Sequence, residues 1–416
     1  MTISSLPTAP PAASTLPDGV TPEARKALIG SAVGYAMDGF DLLILGFMLR
    51  AISAGLGLAP AQAASLVTAT LIGAVLGGIL FGMLSDQIGR VRVLTYTIVL
   101  FAVCTGLCAL AQGYWSLVVF RTLAGLGLGG EFGIGMAMVA EAWPDSMRAR
   151  ASSYVGLGWQ AGVLAAAFVT PLLLPVIGWR GMFAVGVVPA VAAFFIRHGL
   201  EEPERFVANV AHAGRHPSSL RLLVIDGPTA RVSLGMAILC GVQNFGYYGV
   251  MIWLPNYLAS RFHYGLTQSA VWTAVTIVGM GIGIYAFGQV ADRIGRRPAF
   301  LGYMLGAAMM VVVYAHLTAP GALLVGGAVM GFFVNGMLGG YGALMSELYP
   351  TVARATAQNV LFNIGRAIGG FGPVAVAGIA SAYGFDTAIA LLAVLYLVDM
   401  LAMWLLIPER RGSVLT

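Results

Sequence analysis

Asp38, Asp41, Arg121, Glu131 and Arg366 stand within stretches that are otherwise almost wholly apolar. A charged side chain at mid-membrane costs ~2.5–3.5 kcal/mol or more, so it normally has an inward-facing partner and a task. Asp38 and Asp41 are three residues apart, and three residues return to nearly the same face of a helix. Arg121 is the nearest plausible counter-ion for either. Burial disfavours a charged carboxylate and a paired arginine favours it, so making and breaking such a pair would let the site bind and release a proton. A permanent ion pair tying two helices together is the plainer alternative. Glu131 is a further candidate for proton coupling, an ambiguous one because it lies about 80° from Arg121 around a helix.

Arg366 invites different chemistry. Asn359, Asn363 and Arg366 fall at i, i+4 and i+7, a single polar stripe on a helix. A guanidinium can clasp a carboxylate with two parallel hydrogen bonds, and the asparagines can donate to a second oxygen. Gln243, Asn244 and Tyr247 bring amides and a ring to similar depth, as do Asn335 and Tyr341, with Trp159 beside Gln160 as a further wall. Aromatic walls suit an aromatic or sugar-like acid. They also suit ordinary packing, which is the reading favoured for Tyr248, as a helix-packing hydrogen bond is for Asn359. The expected ligand is a small organic anion.

The elements that must position these groups follow from a duplication. Gly82-Met-Leu-Ser-Asp86-Gln-Ile-Gly89-Arg90-Val-Arg92 returns as Gly288-Gln-Val-Ala-Asp292-Arg-Ile-Gly295-Arg296-Arg297-Pro298, with 288 − 82 = 206. Glu141 and Arg148 return at the same offset as Glu347 and Arg354. A long-period repeat in a chain with 59% hydrophobic and 9% charged residues points to two repeated membrane bundles. Apolar stretches predict twelve transmembrane helices near 26–50, 63–84, 93–111, 116–140, 152–175, 181–197, 232–258, 268–290, 300–318, 322–346, 356–380 and 387–407. The expected layout is a tail 1–25, a six-helix bundle 26–197, a linker 198–231, a second bundle 232–407 and a tail 408–416. Thr21-Pro22-Glu23 reads as a helix start. Where the repeat breaks is informative too, for Asp38 corresponds to Asn244, Arg121 to Gly327 and Arg366 to Gln160.

Arg90, Arg148, Arg150, Arg296, Arg297, Arg354, Arg410 and most other basic residues share one side, which predicts that both termini are cytoplasmic. The net charge of +5 is therefore topology and not a nucleic-acid footprint. The only lysine, Lys26, follows no glycine-rich loop, so no ATPase phosphate loop exists. Gly125, Gly127 and Gly130 satisfy a dinucleotide pattern without its strand, and Gly125, Gly129 and Gly133 read better as a close-packing stripe. Cys104, Cys108 and Cys240 read as buried hydrophobes, and His212 and His216 as solvated histidines. Neither a metal nor an organic cofactor is expected, and no nucleophile and base converge to suggest an enzyme. Trp253 reads as an interfacial belt residue.

The repeated Gly-x-x-x-Asp-x-x-Gly-Arg, with Gly73 and Gly279 nine residues upstream of each copy, resembles the signature of the major facilitator superfamily, and the likeness spans about residues 25 to 410. Gln87 departs from the basic residue usual there, whereas the second copy keeps Arg293. Glu141/Arg148, Glu347/Arg354 and Glu202-Pro203-Glu204-Arg205 are similar to elements of sugar and organic-acid porters. The resemblance implies that these and Gly82, Asp86, Gly89, Arg90, Arg92, Gly288, Asp292, Gly295, Arg296 and Arg297 form a cytoplasmic gate that closes when the protein faces outward. Asp38-Gly39-Phe40-Asp41 resembles the first-helix motif of aromatic acid:proton symporters. Arg121 to Glu131 and Val139-Ala-Glu141-Ala-Trp143-Pro144 resemble sialate and small-carboxylate:proton symporters. A Gly-Pro-rich fifth helix of the drug antiporter kind is absent, which points to uptake. The implied protein is a multi-pass transporter of a bacterial cytoplasmic membrane, working as a monomer in the bilayer. It would take up a small organic acid anion with protons as the coupling ion. An exporter on the same scaffold, or a non-transporting sensor, is the alternative.

Overall fold

A computed structural model of the chain describes residues 19–197, 200–203, 206–208, 219–262, 266–413 and 415. Backbone groups in hydrocarbon must be satisfied within the segment, and the described residues accordingly form helices and no strand. In chain order they are α1 (Pro22–Leu56), α2 (Pro60–Ile88), α3 (Arg90–Cys108), α4 (Tyr114–Ala142), α5 (Arg148–Arg197), α6 (Ser219–Leu222), α7 (Gly227–Phe262), α8 (Leu266–Ile294), α9 (Arg296–His316), α10 (Pro320–Gly336), α11 (Leu338–Leu348), α12 (Thr351–Gly369), α13 (Gly372–Tyr383) and α14 (Phe385–Leu406).

The membrane crossings follow from length. At 50 residues α5 is about 75 Å long, more than twice a bilayer core, and it breaks at Gly178 (φ 66°, ψ 178°) into two spans. The α10–α11 and α12–α13 pairs are each one crossing interrupted near its middle, at Met337 and at Gly370-Phe371. With α7 these give twelve spans, so the protein is an all-α multi-pass membrane protein. Large apolar side chains such as Leu110, Phe168, Leu172, Val374 and Trp404 are exposed on its flanks, where lipid would cover them.

Helix starts reflect local chemistry. Thr21 Oγ1 accepts from the Ala24 amide (3.2 Å), with Pro22 in the first turn, as expected. Two boundaries differ from expectation. The first helix begins at Pro22, inside the stretch assigned to the tail, and α7 begins at Gly227, inside the stretch assigned to the linker. The second shift has a cause in Asp226, whose carboxylate accepts from the Thr229 amide (2.7 Å) and caps α7. That bond holds the exposed Asp226 carboxyl below its usual range. His212, His216, Glu204, Arg205 and the side chain of Trp253 lie outside the described residues.

Packing repeats with the sequence. Helix α1 lies on α5 and α7 on α12, while α2 lies on α4 and α8 on α10. Between the halves, α2 meets α12 and α5 meets α8. Small residues allow the close approach of α2 and α4. A Cβ built on Gly125 would lie 2.1 Å from Thr70 O, and one on Gly129 would lie 2.0 Å from Ala74 O. The apparent dinucleotide motif is thus a helix-packing surface.

Candidate functional site

At the core of the molecule, α1, α5, α7, α10, α11 and α12 line a small cavity. Its walls are Tyr35, Trp159, Gln243, Asn244, Tyr247, Tyr248, Asn335, Leu338, Phe362 and Arg366. The break between α10 and α11 places Asn335 and Leu338 on this wall from either side of it. Arg366 is buried, with its guanidinium carbon 5.4 Å from the ring centres of both Trp159 and Phe362. Its Nε and Nη2 have no hydrogen-bond partner among the described residues. Asp38, wholly buried, lies within its electrostatic reach together with Tyr35 and Tyr248. Trp159 Nε1 donates to Tyr247 Oη (3.1 Å), and Gln243 Nε2 donates to Asn335 Oδ1 (2.7 Å). That pairing leaves Gln243 Oε1 and Asn335 Nδ2 without partners among the described residues. The cavity therefore combines a cation, an amide acceptor, an amide donor and aromatic walls.

The acidic pair divides between two cations. Arg121 donates to both Asp41 oxygens, Nη1 to Oδ1 at 3.0 Å and Nη2 to Oδ2 at 2.6 Å, and its Nε donates to Thr70 Oγ1 at 3.1 Å. Asp41 is thus clasped within the first half, whereas Asp38 faces Arg366 of the second.

Several expected ligand groups are used otherwise. Asn359 Oδ1 accepts from the Gly133 amide (2.7 Å), and Asn363 Nδ2 donates to Gly129 O (2.9 Å), so both bind the backbone of α4 across the two halves and stand outside the cavity. Bare glycines let α12 approach so closely that these amides reach main chain before they can reach a ligand. Tyr341 donates to Leu239 O (2.9 Å), and Gln160 is buried and is not among the residues that line the cavity. Glu131 accepts from Thr97 Oγ1 (2.9 Å) on α3, the consequence of its angle to Arg121 around α4. Tyr35, Tyr248, Leu338 and Phe362 were not expected here as ligand-facing groups. Tyr35 precedes Asp38 by three residues and Phe362 precedes Arg366 by four, so their helical phase to a charge was the available signal.

At the end carrying the repeated loops, the two halves are bonded together. Arg90 Nη2 donates to Glu141 Oε1 (3.0 Å) and to Thr351 O (2.7 Å), and Arg90 Nη1 pairs with Asp86. Asp86 also accepts from the amides of Ala355 (3.2 Å) and Thr356 (2.9 Å), near the start of α12. Arg354 Nη1 reaches back to Glu141 Oε1 (2.7 Å). The second copy repeats the plan. Arg296 joins Asp292 (2.9 Å) and Glu347 (2.8 Å), Arg148 joins Glu347 (3.3 Å), and Asp292 accepts from the Ala149 (3.0 Å) and Arg150 (3.1 Å) amides at the start of α5. Negative carboxylates at helix starts are favoured by the helix dipole.

Gly89 (φ 120°) and Gly295 (φ 107°) turn the chain into α3 and α9 in a region that side chains avoid. A Cβ on Gly82 would lie 3.0 Å from Thr356 Cα, and one on Gly288 would lie 2.1 Å from Ser153 Oγ, so the first glycine of each copy permits contact between halves. Arg92 and Arg297 contribute otherwise than expected. Their amides, with those of Arg90, Val91 and Arg296, are held by Glu202 and Glu409, and the Arg297 side chain binds Trp404 O on α14. Glu409, Thr351, Thr356 and Arg150 were not expected in this network, and Glu409 holds the start of α9 as Glu202 holds the start of α3.

The chain matches the Major Facilitator Superfamily over residues 31–320 and 236–415. It is 65% identical over 396 residues to a Haemophilus influenzae protein named for metabolite transport, covering 94% of this chain and 97% of the relative. It is 31% identical over 402 residues to a Cupriavidus pinatubonensis protein named as a 4-methylmuconolactone transporter, covering 94% and 92%. Among solved structures, the proton:xylose symporter XylE bound to 6-bromo-6-deoxy-D-glucose superposes with a TM-score of 0.79 at 18% identity, covering 94% of this chain and 98% of that one. The duplicated signature, the twelve-span fold and these relatives agree, and the chain belongs to the major facilitator superfamily of transporters.

Proposed function

We propose that the protein is a proton-coupled importer of a small organic acid anion, working by alternating access as a monomer in a bacterial cytoplasmic membrane, with both termini on the cytoplasmic side. The observation that carries this reading is Arg366, a buried guanidinium on the cavity wall with two nitrogens free of partners among the described residues. Buried guanidinium donors without partners are costly, and a substrate carboxylate would offset that cost with two charge-assisted hydrogen bonds. Gln243 and Asn335 would hold a hydroxyl or second oxygen, and the rings of Tyr35, Trp159, Tyr247 and Phe362 would flank a planar or ring-shaped body. The relative named for 4-methylmuconolactone supports a small organic substrate.

Coupling would use the two acids. A substrate carboxylate on Arg366 competes with Asp38 for the same cation, so substrate entry makes Asp38 easier to protonate. Asp41 would take a proton only when Arg121 lets it go. The bonded end of the molecule corresponds to a closed cytoplasmic gate, which protonation and substrate together would release. Reconstituted protein under an imposed pH gradient, offered labelled benzoate, lactate, gluconate and N-acetylneuraminate, tests the reading. Accumulation of one acid driven by an acidic exterior is expected and should be lost in Arg366→Gln. Accumulation driven by the opposite gradient would make the protein an exporter, and transport of neutral sugars alone would remove the anion site.

A further inference from the structure

Helix α14 carries an acid that takes no part in the network or the cavity. Asp399 is fully buried, and neither of its carboxyl oxygens has a hydrogen-bond partner among the described residues. The titratable groups that face it are neutral: Cys240 on α7, Tyr341 on α11 and Tyr396 on α14 itself. On α9, the cation Arg297 binds Trp404 O, five residues and about 7.5 Å further along α14. Arg231 on α7 binds Leu405 O, further still. Helix α13 offers only Tyr383, which is exposed. Among the described residues no cation therefore neutralises a carboxylate at this position, and a buried charge in that situation gives way to the protonated acid. The repeat adds a second observation, because 206 residues earlier stands Ala193. The acid belongs to the second half alone, like Arg366.

Its place relative to the cavity is close. Cys240 lies on the turn of α7 next to Gln243 and Asn244, which line the cavity, and Asn244 Nδ2 donates to Cys240 O (2.9 Å). Tyr341, also beside Asp399, packs its ring 6.4 Å from that of Phe362, another cavity wall. One helical turn, about 5.4 Å, thus separates the acid's neighbours from the ligand-facing amides.

We propose that Asp399 is a second proton-binding site, occupied by a proton in this conformation and exchanging it with the central cavity during the transport cycle. The step is a simple transfer, in which the Asp399 O–H bond breaks, the proton passes to cavity water and the carboxylate remains until it is reprotonated. Its consequence for transport rests on the proton-coupled reading above, but its occupancy does not.

Infrared spectra of the purified protein in lipid test the occupancy. A protonated-carboxyl stretch should be present at neutral pH, disappear in Asp399→Asn, survive in the Asp38→Asn/Asp41→Asn double variant and fade as the pH is raised. Asp399→Glu should restore it at a shifted frequency. A spectrum that Asp399→Asn leaves unchanged overturns the proposal, as does a band that never titrates. Proteoliposomes test the exchange with whichever of benzoate, lactate, gluconate or N-acetylneuraminate the wild type accumulates. Each coupled proton supplies a factor of about ten per pH unit, so Asp399→Asn should lower accumulation about tenfold under a gradient of about one unit while exchange persists. Unchanged accumulation means a permanently held proton and overturns the exchange. If the wild type transports none of the four acids, the transport reading fails, and the infrared titration alone decides Asp399.

Discussion

Arg366 and Arg121 are both buried intramembrane arginines, yet their surroundings set them opposite tasks. Each nitrogen of the Arg121 guanidinium bonds Asp41 or Thr70, whereas Arg366, on the cavity wall, keeps two nitrogens without partners among the described residues. Arg366→Lys keeps the charge but loses the planar fork, so substrate affinity should fall, and Arg366→Gln should lower it more. Losing a charge-assisted bond costs about 1.5–3 kcal/mol, or roughly ten- to hundred-fold in affinity, as a binding titration of the purified variants would show. Wild-type affinity in Arg366→Gln would move the anion site to Arg121. For the Arg121–Asp41 pair the expected signature is non-additive. Removing one partner strands the other, at about 3–5 kcal/mol, whereas removing both does not. Asp41→Asn should therefore melt well below wild type, and Asp41→Asn/Arg121→Gln should recover much of the loss. Both should lack uphill uptake.

Among the helices, glycine has two distinct meanings that spacing alone does not separate. Gly129 faces Ala74 O at a distance no Cβ tolerates, while Gly46 on α1 has nothing within 4 Å of a built Cβ. Gly129→Ala should push α2 from α4 and cost about 1–3 kcal/mol, the usual penalty of overpacking. Gly46→Ala should be neutral or stabilise by up to about 1 kcal/mol, because glycine is the weaker helix former. Thermal unfolding of the two variants in one detergent compares them directly. The interruptions at Met337 and Gly370 belong to this scale as well. Each divides a stretch that reads as one apolar helix, and the break between α10 and α11 sets Asn335 and Leu338 against the cavity.

Across the whole molecule, the two halves meet through a duplicated set of ion pairs and carboxylate–amide bonds at one end. Asp86 reaches the start of α12 and Asp292 the start of α5, so each half grips a helix of the other. Asp86→Asn or Asp292→Asn keeps the shape but removes the charge that favours those amides. Either change should raise the labelling rate of a cysteine placed near Gly82 or Gly288, and the double change should raise it further. Because exposed single pairs contribute about 0–1 kcal/mol, an effect of severalfold would mark the buried network as the closing device. Unchanged labelling with intact transport would leave these loops as topology signals.

The sequence by itself determined the class, the helix count, the repeat and the residues of the charged end. Hydrocarbon forces each apolar run of sufficient length into a helix whatever its neighbours do, and loop charges need no partner to be recognised. The partners of the buried polar groups were decided only by tertiary structure. Asp38 and Asp41 occupy nearly one face of α1, and the small rotation between them sends one to Arg121, 80 residues away, and the other towards Arg366. Asn359 and Asn363 carry the same stripe as Arg366, yet the bare glycines of α4 bring main chain within their reach and leave the arginine alone on the cavity. A lone acid such as Asp399 gave no pattern at all. Its meaning came from the neutral side chains that two distant stretches of the chain, with Tyr396 on its own helix, pack around it, since charge stabilisation depends on distances across helices that spacing along one helix does not encode.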